Sequence, residues 1–159
     1  MTLTWELIHA RHECGHALVA LLVQGSFRYV TLRPRNIKYG GHTYGIRTPS
    51  PRAEAVQGWA GSVAGFGHVS IEERVLLQAL APDVPDVMEL GEGSPRAEAE
   101  QLVAAHCALL DWLATELIRR RTMTRRDFER AITEWHDSLG TSWAHDSGKR
   151  RKTTRIAEQ

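Results

Sequence analysis

The sequence predicts an α+β fold that is mainly helical, a helical domain with a small antiparallel β-sheet directly after its first helix. Three observations carry this. Leu3 to Val23 places apolar residues at helical spacing, two stretches after Gly25 alternate apolar and polar, and four Ser or Thr caps open helical runs further along. At 159 residues the chain fits one domain, over residues 1–140, followed by a basic tail at 141–159. A domain of this size buries roughly two thirds of its unfolded surface, so no metal or disulfide staple is needed merely to fold.

The first helix, Leu3 to Val23, contains His12-Glu13-Cys14-Gly15-His16. At about 100° per residue the two histidines lie about 40° apart around the helix and one turn displaced, so both imidazoles can reach one ion. That is the spacing of a zinc hydrolase. Glu13 points elsewhere, placed to hold a water and accept its proton rather than to join the same face as a ligand. Trp5, Ile8, His12, His16, Val19 and Val23 recur on one stripe, which turns both histidines inward. Two buried imidazoles each need a partner, and a shared cation meets that need. Cys14, two residues after His12, reads as packing.

Phe27 to Arg33 reads as a strand halted by Pro34, and Gly41 to Arg47 as a second, joined by a turn-rich connection. An edge strand beside a metal can hold an extended peptide through main-chain hydrogen bonds. Ser50-Pro51 then caps a helix to about Gly65, whose Ala60, Gly61, Ala64 and Gly65 permit close approach of another backbone, the motif helix being the expected neighbour. Ser70 with Glu73 forms a capping box for Ile71 to Leu80, and Pro82-Asp83-Val84-Pro85 breaks the chain. Ser94-Pro95 opens a long helix with Ala99, Leu102, Val103, His106, Leu109, Leu110, Leu113 and Leu117 on its buried face and Arg119-Arg120-Arg121 in its last turn. Thr124 with Asp127 starts the final helix.

Twenty basic and nineteen acidic side chains nearly cancel, which excludes a general attraction to nucleic acid or anionic membrane. The exception is the tail, with Lys149-Arg150-Arg151-Lys152, which reads as a solubilising appendage. Two cysteines give no disulfide framework and fit a reducing compartment, so the expected location is the cytoplasm. The longest apolar run, Ala17 to Val23, is far short of the roughly 20 residues a membrane span needs, and the amino terminus lacks the layout of a signal peptide. The residues leave oligomeric state open.

A catalytic zinc commonly takes three protein ligands, so a third is required beyond His12 and His16. The metzincin pattern is excluded because Val19 and Leu22 stand where it needs glycine and histidine. Asp83, Asp86 and Glu89, in or after the proline-broken segment, are candidates, as are the helix-borne Glu54, Glu72 and Glu73. His42 and Tyr44, on one face of the second strand, are candidate oxyanion donors. His106 reads as a core histidine with a carbonyl or carboxylate partner, and His9 as a neighbour of the site or an exposed residue. Trp5, Trp59, Trp112 and Trp135 read as core packing.

Several stretches together resemble the peptidase domain of the FtsH family of zinc-dependent proteases. Ala10 to Val19 resembles its zinc helix, Val30-Thr31-Leu32-Arg33-Pro34-Arg35 followed by Gly41 to Gly45 its two strands and turn, and Ala53 to Ala64 its small-residue helix. The family's acidic pair after that helix is replaced by Gly65-Phe66-Gly67, and the likeness spans roughly residues 5 to 135. The resemblance implies a metal set of His12, His16 and Asp86, with Pro85-Asp86-Val87-Met88-Glu89-Leu90 matching the block that supplies the family's aspartate. It implies a Zn2+ cofactor and Glu13 as general base. Family members join this peptidase to an ATPase and a membrane anchor. These residues contain no Walker A motif and no span, so the expectation is a stand-alone version.

The expected function is zinc metalloendopeptidase action on unstructured polypeptides or one dedicated protein partner, with a separate ATPase as a further candidate partner. The alternatives are a regulatory protease that cleaves one partner, such as a repressor, in the manner of ImmA-like proteins, and a non-enzymatic, metal-containing binding module acting through its basic tail.

Overall fold

A computed structural model of the chain describes residues 4–33, 41–66 and 93–143. Within them the fold is α+β and mainly helical. Five helices, α1 (Trp5–Leu22), α2 (Pro51–Phe66), α3 (Pro95–Ala105), α4 (Cys107–Arg120) and α5 (Arg125–Ser138), accompany a sheet of β1 (Tyr29–Thr31), β2 (His42–Tyr44) and β3 (Thr122–Thr124). The sheet is antiparallel throughout, in the order β2-β1-β3.

Thr4 starts α1 by accepting the Leu7 N–H on its hydroxyl, which satisfies one of the unpaired first-turn donors. The helix ends in a Schellman turn. Gln24 takes the left-handed conformation (φ 61°), its N–H donates to Leu21 O, and the Gly25 N–H donates to Ala20 O at 2.7 Å. The turn sends the chain into β1, which pairs with β2 through Tyr29 with Tyr44, Val30 with Thr43 and Thr31 with His42. Both strands are shorter than their alternating stretches suggest, although a bridge between Ser26 and Arg47 continues the pairing.

Ser50 caps α2, accepting the Ala53 N–H. α2 lies against α1 at a separation only small residues allow. A Cβ on Gly15 would come within 2.5 Å of Ala64 Cβ and 2.7 Å of Ala60 O, closer than any side chain can sit. Ala60, Gly61, Ala64 and Gly65 thus act as expected, against the expected neighbour.

The run read as one helix from Pro95 to Arg121 is two, bent by 79° at His106. No proline or glycine marks the break. Its cause is tertiary: α3 packs against α2, with the Arg96 guanidinium 5.2 Å over the Trp59 ring, while α4 packs against α1. β3 is also a correction, since the three residues Thr122–Thr124 are too short to show alternation. Arg121, left-handed at φ 66°, delivers them to the sheet, and its carbonyl accepts from Leu32 N–H and the Thr31 hydroxyl.

The core runs through Leu18, Leu21, Val56, Trp59, Leu109, Leu113, Leu117, Met123, Phe128 and Ile132. Phe27 meets Phe128 edge to face and ties the segment before β1 to α5. Trp59 is in the core and Trp135 packs against it, but Trp5 is 59% exposed and Trp112 is also at the surface, so those two are not core residues. Trp5 stands at the first position of α1, and the Trp112 indole N–H is satisfied at the edge by Ala131 O. Among the described residues no single helix is long and apolar enough to cross a membrane. The expected Ile71 to Leu80 helix, and the tail from residue 144, lie outside them.

Candidate metal centre

Helical spacing on α1 brings the imidazoles of His12 and His16 together. Their Nε2 atoms are 3.2 Å apart and their rings are nearly perpendicular. With metal–nitrogen bonds of about 2.05 Å, that separation corresponds to an angle of about 103° at a shared ion, close to tetrahedral. The spacing of these two nitrogens is therefore compatible with a shared ion. At Nδ1, His16 faces the Gln57 carbonyl oxygen and the Gln57 side-chain amide, each at 2.9 Å. These contacts use opposite tautomers. A carbonyl only accepts, so the first puts the hydrogen on Nδ1 and leaves the Nε2 lone pair available, the form a metal takes.

α2 fixes the His16 ring from its other side. A Cβ on Gly61 would stand 2.2 Å from Nε2 and 2.6 Å from each flanking ring carbon. Equal distances to both carbons place that position over the ring face, so the imidazole lies flat against the bare Gly61 backbone. A Cβ on Gly65 would similarly fall 3.1 Å from the Cβ of His12.

Glu13 leaves the helix one residue later and points to the sheet. It is 8% exposed, and the Thr43 hydroxyl of β2 lies 2.7 Å from its Oε2. The same hydroxyl is 3.0 Å from the Glu13 carbonyl. Gly41, just before β2, passes so close that a Cβ would fall 2.9 Å from Glu13 Cγ.

Arg11, only 1% exposed, anchors this arrangement from within. Its Nε donates to Ala64 O in the last turn of α2, and its guanidinium pairs with Asp111 and approaches Cys107 Sγ on α4. One side chain thus joins α1, α2 and α4 beside His12. Burial pushes the Cys14 thiol well above its ordinary pKa, the Glu13 charge adding to the effect and Arg11 opposing it. Burial also lowers His9, with a further push from His12, against the pull of Glu13.

The structure thus brings the His12 and His16 rings together, turns Glu13 toward β2 and buries Cys14 as packing. Asp86, the expected third ligand, lies outside the described residues, as do Asp83, Glu89, Glu72 and Glu73. Glu54 is exposed on the first turn of α2, and among the described residues no group of three His, Cys, Asp or Glu side chains is placed to hold an ion. His42 and Tyr44 are turned away. Thr43 faces Glu13, so pleating sends its neighbours to the opposite side of the sheet, where they line a groove of about 480 Å³ with Tyr29, Thr31, Arg33 and Thr122. His106 sits at the α3–α4 break, its Nδ1 on Leu102 O at 2.8 Å, a carbonyl partner as expected. His9 is half-buried beside the Trp5 ring.

Thr43, Gly41, Gln57 and Arg11 were not singled out from the sequence. Arg11 does carry a signal, because it stands in the apolar series Leu7, Arg11, Cys14, Leu18, where a charge has to find a buried partner. No known protein family matches the chain, and no characterised protein matches it.

Proposed function

We propose that this chain is a zinc-dependent metalloendopeptidase of FtsH-like type. It hydrolyses peptide bonds in unstructured polypeptides or in one dedicated protein partner, in the cytoplasm, and a separate ATPase supplies unfolding where a folded protein is cut. The observation that carries the reading is the pair of Nε2 atoms 3.2 Å apart with the Glu13 carboxylate issuing from the intervening turn. Glu13 and His16 are 8% and 7% exposed, which favours an extended segment over a folded surface as substrate.

In this reading His12, His16 and Asp86 hold the ion. When bound, zinc supplies Lewis-acid polarisation of the scissile carbonyl and makes water a stronger acid. Glu13 accepts the proton from the attacking water and returns it to the departing amine. The buried carboxylate does this without competition from bulk solvent.

The test is direct. Glu13→Gln abolishes cleavage of unstructured casein while one zinc per chain is retained, and His16→Ala loses the zinc. Asp86→Ala weakens zinc binding where Asp83→Ala does not. A Glu13→Gln protein cutting casein at the parental rate removes the assigned base.

A further inference from the structure

We propose that Thr43 and Gly41 form the seat of Glu13, Thr43 being a positioning residue that commits one carboxylate oxygen and leaves the other to take the proton. This rests on the peptidase reading above and goes beyond it by assigning unequal work to the two oxygens.

A threonine hydroxyl has one proton, and two acceptors are in reach: the Glu13 carbonyl at 3.0 Å and Oε2 at 2.7 Å. The carboxylate oxygen is nearer and charged, which makes it the stronger acceptor. The carbonyl also has an intrahelical donor, four residues on within α1. The hydroxyl therefore goes to Oε2. Both residues are 8% exposed, where a carboxylate without a donor is costly, so the bond holds the side chain in one orientation.

Oε1 faces the other wall. A Cβ on Gly41 would lie 3.3 Å from Oε1 and 2.9 Å from Cγ, so a side chain at this position would crowd this flank of the carboxylate. During hydrolysis a water O–H bond breaks, its oxygen bonds to the scissile carbonyl carbon, whose C=O π pair moves onto the carbonyl oxygen, and its proton goes to Oε1. That proton later passes to the amine nitrogen as the C–N bond breaks, which returns Glu13 to its starting state. Because Gly41 directly precedes β2 and Thr43 lies within it, the seat belongs to the edge strand of the described sheet, and base and strand are held as one unit.

The experiment uses the zinc-loaded full chain and an unstructured fluorogenic peptide. Thr43→Val lowers kcat about tenfold with KM within about twofold, while zinc content and melting temperature stay near the parent's. Thr43→Ser, which restores the hydroxyl, recovers kcat to within about threefold. Gly41→Ala, which crowds the carboxylate from the other side, lowers kcat at least about tenfold. If Thr43→Val fails to fold, Thr43→Ala gives the same comparison. A parental kcat in Thr43→Val, with Glu13→Gln inactive, overturns the seat and leaves the peptidase reading standing. Loss of zinc or early melting that Thr43→Ser does not repair makes Thr43 merely structural and overturns it too. No difference between the parent and Glu13→Gln overturns both.

Discussion

Replacing Gly61 by alanine probes how the histidine pair is held. The new methyl carbon would lie 2.2 Å from His16 Nε2, and ordinary contact begins near 3.4 Å, so the ring has to withdraw by about 1.2 Å. Overpacking of this kind costs about 1–3 kcal/mol, and the better helix propensity of alanine offsets about 1 kcal/mol of it. The net loss of stability is about 0–2 kcal/mol, a melting shift of a few degrees at this chain length. The effect on metal binding is larger in proportion, because a ligand set tolerates about 0.5 Å of displacement. Zinc affinity should fall at least about tenfold, or about 1.4 kcal/mol. The assay is a zinc titration against a chromophoric chelator, run beside thermal melts of the chelator-treated protein. Parental zinc affinity in Gly61→Ala, when His16→Ala has lost the metal, would refute the claim that bare α2 backbone sets the ring.

Gly15→Ala should cost stability whether or not zinc is present, since its Cβ meets Ala64 Cβ and Ala60 O, and melts with and without chelator should show equal losses. Arg11→Leu should lower stability by about 2 kcal/mol, because Ala64 O loses its donor and Asp111 its partner, and Arg11→Lys should not restore it in urea melts. Thr124→Ala removes the capping box of α5 and should cost about 1 kcal/mol at pH 7. The Thr124 hydroxyl holds the Asp127 carboxyl below its ordinary value, so that contribution is present above about pH 4 and is lost as pH falls through the lower folded value. The gap between parent and variant should therefore narrow between urea melts at pH 7 and pH 3. A thiol reagent should label Cys107 in the native protein and reach Cys14 only after unfolding, since burial keeps the latter neutral.

Local chemistry made much of this molecule legible. Ser50, Ser94 and Thr124 cap helices as read, because short-range hydrogen bonds decide where helices start, whereas the Thr4 cap of α1 was not singled out. Gly61 and Ala64 announced a close helix contact because small residues have few other uses on a packed face. What escaped was set by distant partners. The bend at His106 follows from α3 and α4 packing on different helices, and no residue at the break encodes it. β3 exists because β1 offers an edge to Thr122–Thr124. Thr43 shares its face with Gly41, but that this face meets Glu13 depends on how the hairpin lies on α1, which periodicity does not specify.

The pairing of β1 with β3 also bears on when the molecule becomes complete during synthesis. The Thr31 and Thr122 hydroxyls touch at 2.7 Å across 91 positions of chain, and a two-stranded ribbon alone is marginal in water. The hairpin behind Glu13 therefore gains its third strand only after the intervening 91 positions have been synthesised, and at about 5–20 residues per second that interval lasts several seconds or more. Residues His12 to His16 are thus synthesised well before the sheet behind Glu13 can be completed.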